Sequence, residues 1–243
     1  NKISPNQKII SYDLRGHGKS TVPAEPEKLK SWQRYRDDLI SILEKNNEPS
    51  TLIGHSLGGT TSLLVAFKRP ELVSKIILID PVLLPLTYWL GTKVVQSVGL
   101  IEKVHPMVKG ALARKKTWVS KEEAFQYFSR KKLFRKVIPE AINDYIDGGM
   151  KKINENLYEL NCNPKWEAAT FKLTSGGNWF NLKKSNVPTK IILTPNSVVC
   201  NEKSQKKLKK SIAKIEFVTL ENTTHMLPLE DIDGVGNEIL SFL

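Results

Sequence analysis

The six residues Gly54-His55-Ser56-Leu57-Gly58-Gly59 constrain this chain more than any other stretch. They follow the strand-like run Thr51-Leu52-Ile53 and precede a long apolar segment with helical spacing, so they must turn a strand into a helix within a few residues. A serine at the tip of so tight a turn is held in a strained backbone conformation, with its Oγ pushed into the open. Positions two before and two after it approach each other, so Gly54 and Gly58 are expected to avoid a side-chain clash. The helix beyond aims its amino end at the serine, which favours negative charge developing there. The backbone N–H of Leu57 is then the expected donor to an oxyanion.

The rest of the first half has the same grammar. Residues 8–13 (KIISYD) read as a strand, residues 31–44 as a helix with apolar Trp32, Tyr35, Leu39, Ile42 and Leu43, and residues 75–80 (KIILID) as another strand. A helix over 60–68 closes before Pro70. Residues 86–167 are helical, basic and aromatic, with amphipathic helices expected at 121–130 and 140–147. Strand signals return at 187–193 and 215–220, with a Lys-rich helix between them and a terminal helix over 229–243. Strands alternating with helices predict an α/β fold with a mostly parallel sheet flanked by helices. The helical stretch predicts an inserted cap, giving a core of 1–85 and 168–243 and a cap of 86–167. No internal repeat or low-complexity linker interrupts this order.

A serine nucleophile needs a base. His17 and His55 belong to turn motifs, and His105 lies in the helical insertion. His225 follows the last expected strand, on a loop at the same carboxyl edge of a parallel sheet as the serine turn. It is the candidate general base.

Composition narrows the partners. Of 243 residues, 40% are hydrophobic and 26% charged, enough to bury a core. Lys+Arg 37 against Asp+Glu 25 leaves +12, but the basic residues are spread along the whole chain, as solvated faces are. Nucleic acid is therefore not an expected partner, while peripheral membrane contact is a possible use of the charge. In residues 203–214 (KSQKKLKKSIAK), Leu208 and Ile212, with Ile215 just beyond, fit one buried stripe and a wet basic face. Two cysteines, Cys162 and Cys200, make no disulfide framework, and with four dispersed histidines they offer no zinc spacing. Neither metal nor cofactor is expected. The longest apolar stretch, residues 76–90, is broken by Asp80, Pro81 and Pro85 and is too short to span a bilayer. No secretory leader is visible, which favours a cytoplasmic or organellar setting over a secreted one.

The motifs Tyr12-Asp13-Leu14-Arg15-Gly16-His17-Gly18-Lys19-Ser20, Gly54 through Gly59, Ile79-Asp80-Pro81 and Thr224-His225-Met226-Leu227-Pro228-Leu229-Glu230 together resemble the α/β-hydrolase superfamily, in its order and over nearly the whole chain. The resemblance implies an α/β-hydrolase fold and cleavage of a carboxylic ester or lipid through an acyl-enzyme on Ser56. Dehalogenase and epoxide hydrolase relatives carry an aspartate where this chain has Ser56. The first motif is a family marker whose glycines and arginine are structural.

Two departures qualify the likeness. The turn after the penultimate strand, where relatives keep the third catalytic residue as an aspartate, reads Thr194-Pro195-Asn196-Ser197, with Ser197 in the slot. The family's second solution places the acid after the strand that follows the serine, which is Asp80; Glu202 is the poorer rival. This combination, with Arg114 through Ala124, resembles esterases and lipases that include peroxisomal and lipid-droplet lipases of fungi. The second departure is that the family has a strand, a loop bearing His-Gly and a helix ahead of residues 8–13. That loop supplies the second oxyanion donor, and only seven residues precede Lys8. The sequence is accordingly expected to be a copy lacking N-terminal strands of a longer protein. The aromatic residues Trp89, Trp118, Phe125, Tyr127, Phe128 and Tyr145 are expected to form an apolar acyl pocket or to pack helices together. A noncatalytic hydrolase-like protein binding an apolar ligand or partner is the alternative, since Ser197 leaves the usual acid slot empty.

Overall fold

The computed structural model describes residues 8–173, 179 and 182–243. In chain order the elements are α1 (Gln33–Leu43), β1 (Ser50–His55), α2 (Leu57–Lys68), β2 (Val73–Ile79), α3 (Leu86–Ser97), α4 (Ile101–Val104), α5 (Pro106–Leu112), β3 (Thr117–Trp118), α6 (Lys121–Ser129), α7 (Pro139–Gly149), β4 (Met150–Asn154), β5 (Leu157–Leu160), α8 (Pro164–Leu173), β6 (Thr189–Leu193), α9 (Glu202–Ser211), β7 (Ile215–Thr219), α10 (Leu227–Glu230) and α11 (Ile232–Leu240). They fall into two compact units, Lys30–Ile101 with Leu173–Leu243, and Asn1–Leu29 with Glu102–Lys172.

The first unit is built on a parallel sheet in the order β1-β2-β6-β7. Its two inner strands, with Ile76-Ile77-Leu78-Ile79 in β2 and Ile191-Ile192-Leu193 in β6, are buried almost end to end, as parallel strands covered on both faces must be. The outer strands β1 and β7 are only partly buried. Side chains alternate across the sheet. Ile76, Leu78, Ile191 and Leu193 join Leu39, Leu43, Leu63, Leu64 and Leu208 in one core cluster, whereas Ile77, Ile79 and Ile192 meet Leu227 and Val235 in the other. Each such buried side chain contributes roughly 1.5–3 kcal/mol. The Lys-rich helix α9 is anchored by fully buried Leu208 and by Ile212 at 2% exposure; Lys203, Lys206, Lys209 and Lys210 are exposed as the stripe predicts, while Lys207 is half-buried with its ammonium 5.0 Å from the Trp179 ring centroid.

Register sets the functional edge. His55 pairs with Ile79, Ile79 with Ile192, and Leu193 with Thr219. The pairing continues one step past the strands, because the Ser56 amide donates to Ile79 O at 2.9 Å and the Asp80 amide to Ile192 O at 2.8 Å. Residues that follow β1, β2, β6 and β7 therefore emerge along one carboxyl edge.

In the second unit, α6 begins with a Ser120 cap: Ser120 Oγ accepts from the Glu123 amide at 3.1 Å, and Glu123 Oε2 reaches back to the Val119 amide at 2.8 Å. Trp118, Tyr127, Phe128, Phe134 and Tyr145 pack ring on ring with centroids 4.9–5.5 Å apart. These rings serve as this unit's core, the helix-packing reading of the aromatic stretch. A small antiparallel sheet, β3-β5-β4, adds strands to a region expected to be helical.

Residues 8–13 form no strand. The expectation of one is corrected here: the run has the right local pattern, but no described strand pairs with it, and Ile9 and Ile10 are 56% and 51% exposed. The motif that follows is structural. Gly16 has φ +76° and a Cβ there would overlap the Trp166 indole, while Gly18, at φ +51°, leaves room for the Asp13 carboxylate that accepts the Lys19 amide at 2.8 Å. No described helix is long and apolar enough to cross a membrane.

Candidate active site

Ser56 sits between β1 and α2 with φ 53° and ψ −115°. A non-glycine residue holds such a conformation only where its surroundings enforce it, at a cost of about 1–3 kcal/mol. Here the Ser56 carbonyl accepts the Thr60 amide at 3.1 Å while its amide is held by Ile79. A Cβ on Gly54 would lie 2.4 Å from the Gly58 carbonyl carbon and oxygen, so Gly54 is required. The expectation for Gly58 is corrected: a Cβ there meets nothing within 4 Å. The second glycine the turn needs is Gly59, whose Cβ would stand 2.9 Å from Gly54 O and 3.1 Å from the Pro81 ring. Helix α2 begins at Leu57, three residues before the expected Thr60. Leu57 is thus a first-turn residue whose amide has no acceptor within the helix.

Three side chains from three ends of the sheet meet. His225, on the loop after β7, places Nε2 2.9 Å from Ser56 Oγ and Nδ1 2.6 Å from Asp80 Oδ2. Asp80 directly follows β2, with φ 39° and 1% exposure. A carboxylate oxygen accepts, so Nδ1 carries the hydrogen and Nε2 is the bare nitrogen that accepts the serine hydroxyl. Asp80 Oδ1 is buried with no hydrogen-bond partner, leaving the carboxylate's directional interaction with His225 alone.

Ser197 does not stand in for an acid. Its hydroxyl accepts the Cys200 amide at 3.0 Å and is consumed in the turn. The side chain of Glu202 is 85% exposed and 3.5 Å from Lys206. Cys200 is fully buried, and burial, with the Asp80 charge adding to it, pushes its thiol up to about 12.

The loop that carries His225 is tied at three successive residues. Thr194 Oγ1 donates to Thr223 O at 2.6 Å, Glu230 accepts from both the amide and the hydroxyl of Thr224 at 2.5 Å, and His55 Nε2 lies 2.7 Å from His225 O. Sequence alone does not mark Thr194, Glu230 and His55 as site residues; the position of His55 beside Ser56 is the one signal. Burial, reinforced by His225, pulls the His55 imidazole down to about 4. The remaining histidines are occupied elsewhere: His17 Nδ1 is 3.1 Å from Arg15 O, and His105 caps α5 by accepting the Val108 amide. Among the described residues no cluster of His, Cys, Asp or Glu could hold a metal.

A hydroxyl, an imidazole and a buried carboxylate in this series can pass a proton away from the oxygen and hold the resulting imidazolium.

Comparison with known proteins fits this geometry. The profile of the Hydrolase_4 family, described as "Serine aminopeptidase, S33", matches residues 5–232. The mouse sn-1-specific diacylglycerol lipase ABHD11 is 33% identical over 75 residues, 30% of this chain and 23% of that protein. The Acinetobacter baylyi (E)-2-((N-methylformamido)methylene)succinate hydrolase is 28% identical over 121 residues, 50% of this chain and 44% of its own. The uncharacterized Mycobacterium tuberculosis protein Rv2715 is 35% identical over 79 residues, again 23% of its length, so the matched segments span about a quarter to under half of these curated relatives. Among solved structures, the peroxisomal α/β-hydrolase Lpx1 of Saccharomyces cerevisiae superposes with TM-score 0.69 at 17% identity, covering 93% of this chain and 63% of Lpx1. E-2-(acetamidomethylene)succinate hydrolase gives 0.70 at 18% identity over 93% of this chain and 78% of that one. These structures share the fold, and with the profile covering nearly the whole length, this chain belongs to the Hydrolase_4 family of α/β hydrolases.

Proposed function

We propose that this chain is a serine hydrolase of carboxylic esters, esterase- or lipase-like, working through an acyl-enzyme on Ser56. The observation that carries the reading is the unbroken hydrogen-bond series Ser56 Oγ–His225 Nε2 and His225 Nδ1–Asp80 Oδ2, at 2.9 and 2.6 Å.

In this mechanism Ser56 Oγ attacks the ester carbonyl carbon as His225 Nε2 takes its proton. The carbonyl oxygen becomes an oxyanion beside the Leu57 N–H, one preorganised donor being worth about 10²–10³ in rate. Collapse expels the alcohol, which takes the proton from His225, and leaves the acyl group on Ser56. A water then loses a proton to His225 and attacks the acyl carbon, releasing the carboxylic acid and restoring the serine. Asp80 keeps the imidazole in the required tautomer and offsets its transient charge.

The diacylglycerol lipase among the relatives supports ester chemistry. Apolar substrates are favoured by α3, which begins six residues beyond Asp80, buries no residue and leaves Leu86, Tyr88, Leu90 and Val94 40–65% exposed. An ester of a medium or long acyl chain, reached in solution or by peripheral contact with a lipid surface, fits that apolar face. In the same proposal residues 86–167 serve as the substrate-selecting cap and 1–85 with 168–243 as the core.

The test is turnover of p-nitrophenyl esters from acetate to palmitate by the natural protein and by Ser56→Ala. Turnover lost with Ser56 is expected. Absence of turnover on every ester, or turnover unchanged in Ser56→Ala, overturns the reading.

A further inference from the structure

His55 immediately precedes the nucleophile, yet the proton path does not use it. Its ring reaches across 170 residues of sequence to the backbone of the base: Nε2 lies 2.7 Å from His225 O, and the two imidazole centroids stand 4.9 Å apart at 41°. A carbonyl oxygen only accepts, so Nε2 carries the hydrogen and donates it. Burial and the adjacent His225 keep this imidazole far below the ordinary histidine range, at about 4, against the opposing pull of the hydrogen bond and of Asp80. At neutral pH the ring is uncharged, and its single N–H donor is the one in use.

The three tethers of the loop are not equivalent. The Thr194 hydroxyl holds the Thr223 carbonyl, and Glu230 holds Thr224 from the helix just beyond. Only the His55 bond joins the residue bearing the base to the residue next to the nucleophile. The backbone of His55 is itself fixed, since it pairs with Ile79 while the Ser56 amide bonds the Ile79 carbonyl. The His225 main chain is thus referenced directly to the strand that presents Ser56 Oγ.

We propose that His55 is a positioning residue, whose Nε2–H bond to the His225 carbonyl sets the distance between the base and the Ser56 hydroxyl. The role rests on Ser56 and His225 acting as nucleophile and base. A displacement of about 1 Å at a reacting pair costs on the order of 10² in rate, and loss of this tether frees the loop to make such a shift without changing any group that touches substrate.

The experiment compares the natural protein with His55→Phe, which keeps a ring but no donor, and His55→Gln, whose amide nitrogen reaches the Nε2 position. Kinetic constants on p-nitrophenyl butyrate are referred to the concentration of active sites, titrated with a fluorophosphonate. His55→Phe is expected to lose roughly 10- to 100-fold in kcat with KM within about twofold, and His55→Gln to recover most of that loss. A parent-like kcat per active site in His55→Phe, or equal losses in both variants, overturns the positioning role and leaves the hydrolase reading standing. A parent protein that neither turns over ester nor takes up fluorophosphonate overturns both. Should His55→Phe not fold, His55→Asn decides: its amide reaches only the Nδ1 position, so kcat well below His55→Gln is expected, and equality contradicts the role.

Discussion

The Asp80 carboxylate lies 2.6 Å from Nδ1 of His225, although 145 residues separate them, because both follow carboxyl ends of strands in one parallel sheet. Asp80 is 1% exposed and its other oxygen has no hydrogen-bond partner, so its described directional contact is the one to His225. Asp80→Asn is therefore expected to lower kcat by about 10⁴, since an amide stabilises neither the tautomer nor the imidazolium. Glu202→Gln is expected to leave kcat unchanged, its side chain being 85% exposed beside Lys206. The pair of rate measurements checks the assignment, and a large loss in Glu202→Gln contradicts it.

The turn at Ser56 yields a second prediction. Gly54→Ala places a methyl 2.4 Å from the Gly58 backbone, which cannot move without unwinding the first turn of α2, and is expected to destabilise by about 3 kcal/mol or more. Gly58→Ala meets open space within the helix and is expected to melt at or slightly above the parent, because alanine is the better helix former. Thermal melts of the two variants separate the positions.

Histidine 55 also marks the pH dependence of stability. Its imidazole falls from 6.5 to about 4 on folding, so the folded state resists a proton that the unfolded chain accepts. Its contribution is fully present above pH 6.5, is lost as pH falls toward 4, and changes little below that, a total of up to about 3 kcal/mol. His55→Gln cannot titrate, so its denaturation free energy is expected to fall less steeply than the parent's between pH 6.5 and 4. Parallel profiles contradict the burial argument.

Lys190 in β6 is 4% exposed and lies 2.6 Å from Glu238 and 3.2 Å from Glu216, with Ser241 Oγ at 2.8 Å. It ties α11 to the amino-terminal part of β6, the end opposite the carboxyl edge at which Ser56 emerges. Lys190→Met leaves both carboxylates without that cation and is expected to cost about 2 kcal/mol, with the two glutamates' partial exposure limiting the loss. Urea denaturation measures it, and an unchanged midpoint contradicts the tie.

Local features were legible in the sequence, and features fixed by distant pairing were not. The serine turn announces itself because six adjacent residues carry its geometry, and β2 and β6 because their continuous apolar runs suit only covered parallel strands. Residues 8–13 carry the same signal without a described strand to pair with, and a strand's pattern says nothing of its partner. The β4–β5 hairpin escaped notice because Lys151, Lys152 and Asn154 face solvent on a strand with no apolar alternation, turning through Glu155-Asn156. Gly59 takes the place expected for Gly58 because the pressure on it comes partly from Pro81, twenty-two positions on. His55 offers only its place beside Ser56 as a signal, since its acceptor is a backbone carbonyl and every residue type has one.

The central claim is that His225 makes Ser56 nucleophilic. Its most direct test is treatment of the natural protein with a fluorophosphonate, followed by mass mapping of the phosphonylated peptide. A single adduct on Ser56 is expected, absent in Ser56→Ala and formed far more slowly in His225→Ala. An adduct on another residue, or one that forms on Ser56 at the parent's rate without His225, contradicts it.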